Sequence, residues 1–240
     1  MVGTQLSWHE YATEWARLHG GFDPRTAAPV VRGWLRLAYH IGYVLGRLRV
    51  TPTAVTAAGV LLCFCVPLLV GRPGDGPFLG AFFVLLASVA DSVDGAVAVT
   101  TRRTSRLGYV YDSVADRLGE VAWLLAFWLL GAPGALVVAG GALSWLHEYV
   151  RARAVSAGMR EIGAVTVGER PTRVCVALVG LLVTGLAGTI QADLTAGTAT
   201  MAGAVWVLLA GFGFGQLLSA VRRVLLDADS TPPAPAPTGK

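Results

Sequence analysis

The sequence predicts an all-α polytopic membrane protein, six transmembrane helices preceded by an amphipathic interfacial helix. Three observations carry that prediction. Hydrophobic residues make up 54% of the 240-residue chain and charged residues 14%, with a mean hydropathy of +0.60, a composition suited to lipid rather than water. Whole windows of about 20 residues carry almost no charge, the length that crosses roughly 30 Å of hydrocarbon. Glycine, rather than charge, interrupts the apolar runs, as membrane helices tolerate.

The elements follow in chain order. The first twenty residues are polar and contain acids, so they do not resemble a cleaved signal sequence, and insertion falls to later segments. In the stretch 30–50, Arg32, Arg36, Arg47 and Arg49 punctuate apolar and aromatic residues, the pattern of a helix lying in the membrane interface. Trp8, Trp15 and Trp34, with Tyr39 and Tyr43, read as an aromatic belt at that interface. Six apolar segments then occupy roughly 52–71, 78–100, 107–131, 134–152, 172–190 and 197–220. Their connectors are rich in turn residues, such as GRPGDGP at 71–77 and GAPG at 131–134. The organisation expected is an N-terminal cytoplasmic and juxtamembrane part over 1–50, a six-helix domain over 51–225, and a Pro-rich disordered tail over 226–240.

Of the 19 basic residues 18 are Arg, and their placement orients the chain. They gather before the first span, in the 101–106 loop, in the 151–173 loop and at Arg222 and Arg223, whereas the alternate loops hold only Arg72. The positive-inside rule puts both termini and the two basic loops in the cytoplasm, in a multi-pass protein of the cell membrane. With a net charge of only +4 and no basic soluble face, nucleic acid is not an expected partner. Cys63, Cys65 and Cys175 lie in apolar segments without a metal-ligand partner at suitable spacing and read as buried small hydrophobes. Zinc spacings, Gly-rich phosphate loops and nucleophile elbows are absent from the sequence.

The chemistry concentrates in DSVDGAVAVTTRRTSRLGYVYDSVADR, residues 91–117. Asp91 and Asp94 are three residues apart, and Asp112 and Asp116 four apart, so each pair shares a helix face and a tight loop brings the pairs together. Four such carboxylates do not all ionise near a membrane unless cations neutralise them. An all-oxygen donor set selects hard divalent ions, Mg²⁺ or Mn²⁺. Two of these can clamp a diphosphate and stabilise the attacking and leaving oxygens of a displacement. Gly95 and Gly108 border the acidic faces and open space there, with Ala98 keeping the same face narrow. Glu120, one turn beyond Asp116, either backs the metal site or faces water. An ion-pair cluster with Arg102, Arg103, Arg106 and Arg117 is the plainer reading, but four carboxylates with adjacent glycines exceed what pairing requires. For His147 and Glu148, a hydrogen-bonded helix end is the ordinary account.

These residues resemble the signature of the CDP-alcohol phosphotransferase (CDP-alcohol phosphatidyltransferase) family, D-x2-D-G-x2-A-R-x8-G-x3-D-x3-D. Asp91, Asp94, Gly95, Ala98, Gly108, Asp112 and Asp116 match in register, and Val99 stands where the family has Arg. The resemblance implies that all four aspartates bind two metal ions and that Asp116 is also the base that deprotonates an acceptor hydroxyl. It implies attack on the β-phosphate of a CDP-linked lipid with release of CMP, and Thr53, Thr56, Gly95, Ala98, Ser105 and Gly108 near that lipid's nucleotide. The segments 148–159 and 168–173 further resemble the actinobacterial phosphatidylinositol-phosphate synthases, which implies that Arg151, Arg173 and Arg223 hold the phosphate of an incoming inositol phosphate. Guanidinium forks suit phosphate on independent grounds. The expectation is therefore a phospholipid-synthesising transferase, homodimeric and in contact with membrane lipids, that uses CDP-diacylglycerol and a phosphorylated polyol. Glycerol 3-phosphate is the second acceptor, and a non-catalytic CDP-lipid binder or a cation-coupled transporter the alternative class. A transporter would spread its acids through the membrane depth, whereas here they bunch at one end of two helices.

Overall fold

The computed structural model describes residues 6–159 and 166–230, which form eight α-helices. They are α1 (Trp8–Leu18), α2 (Pro29–Arg47), α3 (Pro52–Leu69), α4 (Gly76–Thr100), α5 (Arg106–Leu129), α6 (Gly134–Ser156), α7 (Arg170–Ile190) and α8 (Leu194–Ser230). Each expected span coincides with one of α3 to α8. Four of these, α3, α4, α7 and α8, are long and apolar enough to cross a membrane. Helix α5 carries Arg106, Asp112, Asp116, Arg117 and Glu120, and α6 carries His147, Glu148, Arg151 and Arg153, so their apolar character is diluted by the groups that build the site. Helix α8 continues through Leu226 to Ser230, past the expected start of the tail, and 231–240 lie outside the described residues.

Local signals place the helix starts. Thr51 caps α3 by accepting from the Ala54 N–H, with Pro52 in the first turn, and Ser105 caps α5 by accepting from the Gly108 N–H. Helix α1, which the sequence reading did not anticipate, begins in a capping box in which Ser7 and Glu10 satisfy each other's backbone N–H groups. Those same bonds to Ser7 hold the Glu10 carboxyl below the usual carboxylate range.

Two cores follow. The larger joins Val66 of α3, Val84 of α4, Trp123 and Phe127 of α5, Leu181 of α7 and Trp206 of α8, all buried. Small residues let these helices close up: a Cβ on Gly119 would meet Cys63 Sγ at 2.9 Å, and one on Gly180 would meet the Ala202 Cβ at 2.7 Å. Buried Trp206 donates a 3.0 Å hydrogen bond to Ser144 and so ties α8 to α6. The second core lies under the N-terminal helices, where Leu6, Tyr11, Ala38, Tyr39, Val93, Ala96, Val97 and Val99 cluster.

The aromatic residues of the N-terminal part also make contacts between helices. Trp8 stacks on Tyr11 and meets Tyr39 edge-on, Tyr11 lies tilted against Trp15 and Tyr39, and the Trp34 Nε1–H donates to Ser92 at 2.8 Å. Trp8, Trp15, Trp34 and Tyr43 stay half-buried while Tyr39 is buried. Helix α2 turns Leu35, Ala38, Tyr39 and Gly42 inward and leaves Val30, Leu37 and Val44 exposed, the two-sided pattern of an interfacial helix. The cysteine expectation needs a correction too: Cys63 is buried and Cys65 half-buried, but Cys175 is exposed, on the outward face of α7.

Gly119→Val is expected to destabilise the protein by about 1–3 kcal/mol through overpacking against Cys63. Gly197→Ala, where a Cβ meets nothing within 4 Å, is expected to leave stability unchanged or raise it by ~0.5 kcal/mol. Thermal unfolding in detergent compares the two.

Candidate metal and phosphate site

The α4–α5 hairpin assembles the site. Helix α4 ends in a tight reversal, in which the Arg102 N–H bonds to the Val99 carbonyl and the Arg103 N–H to the Ala98 carbonyl, with Arg102 at φ 55°. Ser105 then starts α5. The reversal brings the two acidic faces together, and Asp91, Asp112 and Asp116 each offer a carboxylate oxygen within 4.8 Å of the others. An oxygen donor set of this size and spread fits a hard divalent cation. Buried Asp112 Oδ1 has no hydrogen-bond donor, which leaves it available as a ligand atom. Asp94 stands beside this group. It is 6% exposed, and its Oδ2 accepts a 2.6 Å hydrogen bond from Thr56 of α3, which leaves Oδ1 as its second ligand atom. A Cβ at Gly95 would meet nothing within 4 Å, so the acidic face of α4 opens onto free space there.

Helix α7 supplies a residue that sequence reading missed. Arg170 lies against the Asp116 carboxylate, with its Nη1 3.0 Å from Asp91 Oδ1. Arg173, the residue singled out from the sequence, instead faces the interior, 3% exposed. It donates a 2.8 Å hydrogen bond to Glu120 and lies 3.5 Å from Glu148. Arg117 joins the same cluster, 2.9 Å from Glu120 and 3.7 Å from both Glu148 and Asp116. Two guanidinium and two carboxylate groups thus balance one another beside the Asp91–Asp112–Asp116 cluster. Glu120 is buried there, which answers the open question about its direction.

The remaining expected residues are spread around this centre. Arg151 pairs with Glu169 at 2.7 Å, and Glu169 also accepts from the Thr166 N–H. His147, fully buried, bonds Thr166 through Nε2 at 2.9 Å and approaches Glu148 at 3.5 Å, well inside α6 rather than at its end. Thr53 and Ser105 are exposed, Ala98 and Gly108 half-buried, and Arg223 is exposed on α8. Val99 has a local explanation: it is 3% exposed in the apolar cluster beneath α1. A cavity of about 530 Å³ lies next to it, lined by Leu6, Glu10, Glu14, Val99, Arg102 and Thr104. The signal that could have found Arg170 was its place in the first turn of α7, one turn before Arg173. Only the rotation of α7 about its axis decides between the two.

A family model described as CDP-alcohol phosphatidyltransferase matches residues 49–212, which include all four aspartates and the α7 arginines. The chain is 32% identical to the phosphatidylinositol phosphate synthase of Cutibacterium acnes over 65% of this chain and 77% of that protein. It is 30% identical to the protein of the same name from Corynebacterium glutamicum over 77% of this chain and 80% of that one. A crystal structure of Mycobacterium tuberculosis phosphatidylinositol phosphate synthase with CDP-DAG bound superposes with a TM-score of 0.59 at 26% identity, covering 85% of this chain and all of that one.

Two substitutions test the local reading. Arg173→Ala is expected to cost about 1.5–3 kcal/mol, because it takes from buried Glu120 one of its two guanidinium partners and leaves only Arg117. Val99→Arg is expected to lower the melting temperature, because it forces a guanidinium into an apolar cluster at a cost of at least about 2 kcal/mol. An unchanged unfolding transition in detergent for either variant would contradict the packing described.

Proposed function

The chain belongs to the CDP-alcohol phosphatidyltransferase family, and from that premise we propose that it transfers the phosphatidyl group of CDP-diacylglycerol to inositol phosphate, releasing CMP. The observation that carries the reading is the convergence of Asp91, Asp112 and Asp116 with a guanidinium from α7 at one end of the helix bundle. The site serves a reaction between two phosphate-bearing substrates. The names of the relatives support the choice of acceptor.

Asp91, Asp94, Asp112 and Asp116 are assigned as metal ligands, with Thr56 orienting Asp94. A pair of Mg²⁺ or Mn²⁺ ions bound there supplies Lewis-acid polarisation of the diphosphate and charge neutralisation at the attacking and leaving oxygens. Asp116 accepts the proton from the acceptor hydroxyl. That oxygen forms the new bond to the lipid-side phosphorus as the bond to the CMP oxygen breaks. Thr53, Thr56, Gly95, Ala98, Ser105 and Gly108 are assigned to the CDP-lipid, and the open face at Gly95 lets a flat group approach the helix backbone. For the acceptor phosphate the assignment is Arg151, Arg173 and Arg223, with Arg170 added because it is the α7 arginine that faces the carboxylates. The burial of Arg173 against Glu120 favours a part in placing Arg170 over direct contact with the phosphate.

The membrane arrangement belongs to the same proposal. All six helices α3 to α8 span, since α5 packs against α3 and α6 against α8, and the charged residues of α5 and α6 gather at one end of each helix. The arginine distribution puts the site at the cytoplasmic face. The homodimer implied by the family resemblance is included and is checked by light scattering of the detergent-solubilised protein.

Purified protein with Mg²⁺ and CDP-diacylglycerol is expected to release CMP with inositol phosphate and at most weakly with glycerol 3-phosphate. Asp116→Asn should lower the rate about 10²-fold or more. If no acceptor produces CMP with a correctly folded preparation, the activity is not this one; if glycerol 3-phosphate alone does so, the acceptor assignment fails.

A further inference from the structure

Arg170 occupies an unusual position for a basic residue beside a metal-ligand set. Its guanidinium pairs with Asp91 and Asp116, two of the three carboxylates whose oxygens cluster within 4.8 Å. It is well shielded, with a side-chain exposure of 19%. Its direction is imposed from behind. Arg173, one turn along α7, is locked by Glu120 and Glu148, and Arg117 holds Glu120 and Glu148 from α5, so the first turn of α7 is pinned with Arg170 aimed at the carboxylates.

A divalent ion on Asp91 and Asp116 would claim the same oxygens as this guanidinium, and two cations cannot share one site without mutual repulsion. We infer that Arg170 is an internal cation that competes with the metal for Asp91 and Asp116. Metal binding displaces it, and the displaced guanidinium becomes the fork that takes a phosphate. Since linkage is reciprocal, a phosphate that holds Arg170 away from the aspartates also strengthens metal binding. Metal loading and capture of an anionic acceptor thereby reinforce each other through one side chain, and the carboxylate cluster always has a cation beside it. This rests on the metal reading proposed above and deepens it by naming what regulates the site.

The test is Mn²⁺ binding to the detergent-solubilised full chain, read by electron paramagnetic resonance of free Mn²⁺ and independent of turnover. Arg170→Gln is expected to bind Mn²⁺ about 5-fold or more tightly than the wild type, the lower end of ordinary coupling between sites, while Arg170→Lys, which keeps the charge, stays nearer to the wild type. A second measurement uses the unaltered protein: phenylglyoxal labelling of Arg170, followed by mass spectrometry, should rise when Mn²⁺ is added. Equal or weaker Mn²⁺ binding by Arg170→Gln, or labelling that Mn²⁺ leaves unchanged or lowers, overturns the inference. The two readings fail differently. If Mn²⁺ binds the wild type no better than an Asp112→Asn variant, the metal assignment itself is lost; if Asp112→Asn abolishes binding and Arg170→Gln does not tighten it, only the competition is.

Discussion

Carboxylates brought together in a low-dielectric interior repel one another and must be accompanied by cations or lose their charge. Much of this molecule answers that constraint. The α4–α5 reversal gathers the aspartates, Thr56 of α3 donates to Asp94, and Arg170 of α7 lies on Asp91 and Asp116. Two further helices therefore converge on one hairpin. The packing that makes this possible is made of small residues, with Gly119 against Cys63 and Gly180 against Ala202 bringing α5 and α7 close to their neighbours.

Behind the clustered aspartates lies a second, self-balanced set of charges: Arg117, Glu120, Glu148 and Arg173. Buried ion pairs of this kind contribute little net stability, because desolvation offsets much of their attraction. Their geometry is nonetheless consequential. Glu120 and Arg117 share α5 with Asp116, and Arg173 shares α7 with Arg170, so the cluster sets the distance between the base assigned in the reaction and the arginine that faces it. The Arg151–Glu169 pair and the His147–Thr166 bond extend the same fastening to the segment entering α7. Charges that looked in the sequence like substrate ligands or orientation signals thus also hold three helices in register.

At the other edge of the hairpin the N-terminal helices do comparable work with apolar groups. Tyr11 and Leu6 join Val93, Ala96, Val97 and Val99 on the face of α4 opposite its acids, and the Tyr39 hydroxyl donates to the Leu6 carbonyl. The replacement of the family's Arg by Val99 then has a physical context. In this chain the position is a packing site in the apolar cluster with Leu6 and Tyr11.

What the sequence by itself determined is the run of helices from α2 to α8 and the pairing of the aspartates on two helix faces. Apolar run length located α3 to α7 to within a few residues, whereas α8 runs on to Ser230, past the expected 220; the three- and four-residue spacing of the aspartates put each pair on one helix face, because helical periodicity depends only on neighbours along the chain. The same local rules located α2 through its arginine-punctuated pattern. Tertiary structure alone decided the rest. Whether Arg170 or Arg173 meets the aspartates depends on how α7 is rotated, which is set by contacts such as Gly185 with Phe78 and Gly180 with Phe127. The burial of Val99 beside Leu6 and Tyr11 depends on α1 folding back over α4, a contact between residues some ninety positions apart, and the Trp34–Ser92 bond on how α2 meets α4, neither of which a local pattern records. The spacing of the four aspartates sets two carboxylate pairs on two helix faces, but which protein cation stands beside them is a matter of long-range packing.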